Sequence, residues 1–240
     1  MIARDLTNTD IIKLTKKDTV AIIPVGSIEQ HGPHLPISTD TDIVSHIARQ
    51  VAQRNEFLLL PTIEYGVSHE HRPFFNMSVS SRILERILIE LCNSLSENNI
   101  RKVIILNGHH GNQNALKKIP EKISKTTRQR VFVYSYWRFM KRKFDHAGFV
   151  ETSIMLAISN KVSMHKAEKG LVPENMLVSD LKRISKKANK SFISVTKNGV
   201  WGDPTTATAR AGKTILKEII SNLSKESQTC LTGAGRKFHQ

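Results

Sequence analysis

The chain has 240 residues, with 36 Lys and Arg against 21 Asp and Glu, for a formal net charge of +15. That length supports one substantial core, so a single domain over 1–240 is expected, with its core at about 18–226 and a loose C-terminal tail. No apolar run nears the roughly 18 residues needed to cross a bilayer, and the N-terminal MIARDLTNTD lacks the apolar centre of a signal peptide. Cys92 and Cys230 make neither a disulfide framework nor a thiolate metal cage, which fits a reducing cytoplasm and no membrane partner.

In chain order, Asp18–Ser27 is a Val- and Ile-rich apolar run ended by Pro and Gly, the pattern of a buried strand. Thr41–Arg54 places Ile43, Val44, Ile47, Ala48 and Val51 at helical spacing, with Asp40 or Thr41 as its cap. Phe57–Ile63 reads as a second strand, followed by a Gly-, His- and Pro-containing loop to about Asn76. Ser78–Asn99 is a helix with a broad apolar face. Arg101–Leu116 reads as strand, tight loop and helix start, and Arg130–Trp137 as another strand. Glu151–Asn160 opens a helix, and Lys161–Lys190 is polar and uneven. Ser191–Asp203 reads as strand then turn, and a last helix runs from Pro204 towards Glu226. Strands alternating with helices predict an α/β fold with a mostly parallel sheet covered on both faces, its ligands beyond the C-terminal strand ends.

The basic excess raises nucleic acid as a partner. Lysine is spread along the whole chain, however, and the densest patch, Asp180–Lys190, has no aromatic platform beside it. A solvated lysine-rich face is expected instead, with attraction of an anionic, phosphorylated small substrate as the second reading.

Chemistry-bearing residues gather just past the strand runs. Glu29 and His31 share a side of an extended segment, and Asp40 follows a loop able to fold back. His109 and His110 follow VIILNG, with Gly108 and Gly111 leaving room for close backbone approach. His146 and Glu151 follow the Trp137 strand. This nitrogen and carboxylate set, without thiolate, suits divalent Zn, Mn or Fe. Gathered carboxylates would repel one another without a compensating cation. His34 is expected to brace its loop, His46 to be structural, and His69 and His71 to be candidates for the pocket wall. No zincin pair, phosphate-cradling loop or nucleophile elbow is present.

The motifs PVGSIEQHGPHLPISTD, NGHHGN, HAGFVETS and GVWGDPTTATARAG, in this order, resemble the creatininase family from about Val20 to Gly212. The resemblance implies a three-layer α/β/α domain, usually two divalent ions per subunit, and homo-oligomers, often hexamers. It implies Glu29, His31, Asp40 and His109 as metal ligands, with Asp40 bridging, and His146 as the catalytic histidine. Creatininase carries a glutamate where this chain has Gly111, and Glu151 is then the substitute ligand. Gln30, His34, Glu70, His71, Asn107, His110, Asn112 and Arg142 complete the expected substrate-binding and ligand-orienting set. The tryptophan expected near the substrate is Arg142 here, and FPGT is replaced by Phe74–Met77, which argues against creatinine. The expected activity is hydrolysis of an amide-like, non-peptide C–N bond in a small cyclic or formylamino substrate. The archaeal deformylase of a formamidopyrimidine ribonucleotide is the model, with creatinine or lactone hydrolysis as the alternative. A non-catalytic metal-binding or nucleic-acid-binding protein is the rival of another class.

Overall fold

The computed structural model describes residues 1–173 and 176–232. Its sheet has four parallel strands: β1 (Val20–Val25), β2 (Leu58–Leu59), β3 (Lys102–Asn107) and β4 (Arg130–Ser135), in the order β2-β1-β3-β4. The pairing runs in unbroken register from Val20 opposite Lys102 to Val25 opposite Asn107, and from Lys102 opposite Arg130 to Asn107 opposite Ser135. Every residue of β1 and β3 is buried, as expected for strands covered on both faces.

The helices are α1 (Asn8–Thr15), α2 (Thr39–Asn55), α3 (Ser81–Glu97), α4 (Gln113–Leu116), α5 (Ile119–Thr126), α6 (Phe149–Ile158), α7 (Val178–Ala188), α8 (Ile193–Thr196) and α9 (Ala209–Thr232). On one face of the sheet α2, α6 and α9 pack Ile43, Ile47, Val51, Ile154 and Ile219 over Ile22 and Ile104. On the other, α3 and α5 pack Leu84, Leu88, Ile119 and Ile123 over Ile23 and Ile105. The result is the expected α/β layering, with all strand C-termini at one end. No helix among the described residues is long and apolar enough to cross a membrane.

Several expectations are corrected. The 191–196 segment is a helical turn, not a strand: buried Phe192 and Thr196 lie four apart, which is helical spacing. The last helix starts at Ala209 rather than at Pro204, where the Thr208 hydroxyl accepts from the Ala211 N–H at 3.2 Å. It also runs past Glu226, and the rest of the expected tail lies outside the described residues. Helices α1 and α7 stand outside the expected ones, α7 within the polar Lys161–Lys190 stretch. In α1, Thr7 and Asp10 form a reciprocal capping box. In α7, Leu181, Ile184 and Ala188 form an inward stripe amid lysines.

Candidate metal centre and cavity

The floor of the site is built at the strand C-termini. The segment leaving β1 supplies Glu29 and His31, and its backbone is pinned by the Glu29–Asn76 bridge and by the Gln30 N–H donating to the Phe75 carbonyl at 2.9 Å. Asp40 lies in the first turn of α2, and Glu151 in the first turn of α6. His109 follows β3, and a short turn, His69–His71, brings Glu70 and His71 over the floor. Glu29, His31 and Glu151 are fully buried, and Asp40, His71 and His109 nearly so.

These side chains converge. Asp40 Oδ1 is 3.3 Å from His31 Nε2, and Asp40 Oδ2 is 2.9 Å from His109 Nδ1. Glu29 Oε2 lies 3.2 Å from His109 Nε2, and Glu29 Oε1 lies 3.1 Å from His71 Nε2. His31 Nε2 is 3.6 Å from Glu151 Oε2. Despite this crowding, Glu29 Oε1, His31 Nε2 and Asp40 Oδ2 are buried without a well-aligned hydrogen bond. A buried polar atom left so is costly, and three aimed at one point fit a cation between them. Candidate ligand atoms within 4.8 Å of one another form the triads Glu29/His31/Asp40, His31/His146/Glu151 and Glu29/His71/His146.

The imidazoles are oriented for this. His31 Nδ1 donates to the Glu29 carbonyl at 3.1 Å, leaving Nε2 for the centre. His109 Nε2 donates to the Val67 carbonyl at 2.8 Å, leaving Nδ1 facing Asp40. Burial alone would lower both rings, but the carboxylates hold them up to about 10: Asp40, Glu151 and Glu29 for His31, Glu29 and Asp40 for His109. Against burial, the same imidazoles hold Asp40 far below the usual carboxylate range, and His109 and His71 lower Glu29. Burial pushes Glu151 up to about 8. Glu151 Oε2 accepts from the Ala147 N–H at 2.7 Å, and Ala147 adopts the left-handed conformation, φ 53°.

Around the floor, Gln30 acts as a clasp. Its Oε1 accepts from the Gly32 N–H at 2.9 Å, and its Nε2 lies 2.9 Å from His71 Nδ1 and 3.1 Å from His146 Nε2. Only glycine fits at 199, where φ is 78° and a Cβ would fall 1.9 Å from Gln30 Oε1. His146 is wedged against His31 and His71, with ring centroids at 4.3 and 4.9 Å. Burial, then His31 and His71, keep it well below the ordinary imidazole range. Its Nε2 donates to the Gln30 carbonyl at 3.2 Å, and its Nδ1 points inward, 3.9 Å from Glu29 Oε1.

Other expected site residues sort into scaffold and wall. Asn112 Nδ2 donates to the Gly26 carbonyl and its Oδ1 accepts from Val67 N–H; Asn107 Oδ1 accepts from His109 N–H. Both therefore shape the loops that carry ligands. His34 braces the fold, its Nε2 2.9 Å from Thr152 Oγ1, and burial lowers it to about 4. His110 stacks on Trp137 and Phe144 at the cavity wall. His69 is exposed and outside the wall. Arg142 lies over the Phe149 ring at 4.9 Å and does not line the cavity. The cavity, about 190 Å³, opens over Asp40, Glu70, His71, His109 and His146. Phe144, Phe192, Trp201, Ser185, Ala188 and Asn189 close its sides. Phe192, Ser185 and Asn189 were not singled out as site residues, because only tertiary packing brings α7 and α8 to the floor.

A family model described as creatininase, creatinine amidohydrolase, matches residues 4–226. The chain belongs to the creatininase family. As a creatininase-family member it is an enzyme, a metal-dependent amidohydrolase. A mycofactocin precursor peptide peptidase of Mycobacterium ulcerans is 35% identical over 215 residues, 84% of this chain and 81% of that protein. The 2-amino-5-formylamino-6-ribosylaminopyrimidin-4(3H)-one 5'-monophosphate deformylase of Methanosphaera stadtmanae is 28% identical over 224 residues, 86% and 90% of the two chains. The crystal structure of creatinine amidohydrolase superposes with a TM-score of 0.79 at 22% identity, over 93% of this chain and 95% of that one. Creatininase itself has been solved in a Mn form and, as a variant, in a Zn–Zn form. The creatininase-family fold therefore places the four ordered motifs of the sequence at one end of one sheet.

Proposed function

We propose that this chain hydrolyses an amide C–N bond of a peptide, at a divalent metal centre held by Glu29, His31, Asp40, His109 and Glu151. The observation that carries the peptide reading is the cavity lining: rings and hydroxyl or amide side chains over a carboxylate–imidazole floor, with no lysine or arginine among the lining residues. An amino-acid side chain suits the Phe144, Phe192 and Trp201 faces. The phosphate of a ribonucleotide finds no lysine or arginine among the lining residues, which counts against the deformylase reading. The sequence likeness to the mycobacterial peptidases supports the same choice. An open cavity over the ligands counts against a purely structural metal site.

A bound divalent ion would supply an acidified water and a Lewis acid for the carbonyl oxygen. The protein's own residues do the rest. With Nε2–H committed to the Gln30 carbonyl, His146 keeps a lone pair on Nδ1 facing the floor. It takes a proton from the attacking water as the C–O bond forms, and returns it to the nitrogen as the C–N bond breaks. Gln30 holds His71 through its side-chain amide and His146 through its backbone carbonyl, and the aromatic wall keeps bulk water from the reacting carbonyl.

The test is a panel of metal-loaded reactions on short peptides, the formamidopyrimidine ribonucleotide, creatinine and simple lactones, followed by mass spectrometry. Peptide cleavage is expected. Turnover of the nucleotide alone would restore the deformylase reading.

A further inference from the structure

The lysine-rich stretch at Asp180–Lys190 is left unexplained by a cavity without lysine or arginine, and the fold gives it a place. It belongs to α7, whose inward residues Ser185 and Ala188, with Asn189 just beyond, form one wall of the cavity. Lys182, Lys186, Lys187 and Lys190 are exposed, with no carboxylate partner among the described residues; Arg183 pairs with Asp180 at 3.1 Å. A second part of the lining repeats the arrangement. Phe144, Asp145 and His146 line the cavity, and exposed Lys141, Arg142 and Lys143 precede them directly. The lining is thus acidic and aromatic, while the residues flanking both walls are cationic.

The cavity volume of about 190 Å³ lies below the roughly 300–1,000 Å³ that encloses a whole drug-sized ligand. A longer substrate must leave the cavity across these flanks. We infer that the two basic flanks form a docking rim for an acidic segment of the peptide substrate, next to the bond being cut. This rests on the peptide reading above. The lysines of α7 lack carboxylate partners and are next in the chain to lining residues, so they attract carboxylates that the acidic lining would repel. Cations at the walls and carboxylates inside would fix which part of the chain enters.

The test uses fluorescence anisotropy with the metal-loaded full chain and a labelled peptide of about 12 residues rich in glutamate, beside its glutamine counterpart. The acidic peptide is expected to bind at least about 10-fold tighter than the counterpart, with affinity falling as salt rises. Joint replacement of Lys182, Lys186, Lys187 and Lys190 by Glu is expected to abolish that preference. The same change at four exposed lysines elsewhere, Lys13, Lys16, Lys17 and Lys118, should leave it within about 2-fold, with thermal melts checking that both variants fold. Equal loss in the two variants would make the effect one of net charge and overturn the rim. So would displacement of the peptide by adenosine monophosphate, by single-stranded RNA or by anionic phosphatidylserine vesicles at lower concentration than by unlabelled peptide. Because binding is read directly, failure of cleavage alone would count against the peptidase reading and not against the rim.

Discussion

Gly111→Ala tests the packing of the centre with a single methyl group. A Cβ at 111 would lie 2.1 Å from the Val67 carbonyl oxygen, 2.5 Å from His109 Nε2 and 2.8 Å from Glu70 Oε1. Two of these are the partners of one hydrogen bond, His109 Nε2 to Val67 O at 2.8 Å, which holds the imidazole for the centre. Overpacking of this kind costs about 1–3 kcal/mol. At about 2–4 °C per kcal/mol for a chain of this size, the metal-free melting temperature should fall by about 2–12 °C. Loss of a partner that orients a metal-binding histidine typically costs about 10- to 100-fold in metal affinity. Differential scanning fluorimetry of chelator-treated protein and calorimetric titration with Zn²⁺ read the two effects separately. A variant with unchanged melting temperature and unchanged affinity would refute the placement of His109 against Val67.

His146→Ala should keep its metal by elemental analysis while turnover falls about 10²- to 10⁴-fold; loss of metal would make His146 a ligand. Asp40→Asn, which removes the charge between His31 and His109, should lower metal stoichiometry in the same measurement; unchanged stoichiometry would rule out a bridging role. In the metal-free protein His31 and His109 are raised from 6.5 to about 10 and Glu151 from 4.5 to about 8, so the folded state binds more protons than the unfolded one in these intervals. The two histidines' contribution is full below about 6.5 and is lost as pH rises through about 10, and Glu151 costs stability as pH climbs from 4.5 to about 8. Melting temperatures of chelated protein should therefore fall between pH 7 and 10, whereas Zn²⁺ affinity should rise over the lower part of that range as ligand protons are released; parallel curves with and without metal would contradict this. Gln30→Leu should slow turnover about 10- to 100-fold with metal content unchanged, since the side-chain hold on His71 is lost while the ligands stay.

Much of the floor was legible in the sequence. The apolar runs of β1 and β3 announce themselves, and a residue two or four places past such a strand can only stand at its C-terminal end, as Glu29 and His109 do. The walls were less readable for a physical reason. α7 buries a stripe of only Leu181, Ile184 and Ala188, so its lysines dominate any local average. Ile193, Val195 and Thr196 have strand-forming side chains, yet tertiary contacts decide: the Phe192 N–H donates to the Glu70 carbonyl at 2.8 Å, and its ring packs on His71 and His146. Arg142 was expected at the substrate because of its alignment with a tryptophan, but its guanidinium instead finds the Phe149 face.

The contrast between the tightly bonded ligand segments and the separate helical wall has an evolutionary corollary. Residues committed to the ion are tied into strand ends and helix tips by backbone bonds, so they tolerate little drift. The stretch from Val178 to Asn189 touches the cavity only through Ser185, Ala188 and Asn189. It can be rewritten, or exchanged between relatives, to admit a different guest while the reacting machinery beneath stays as it is.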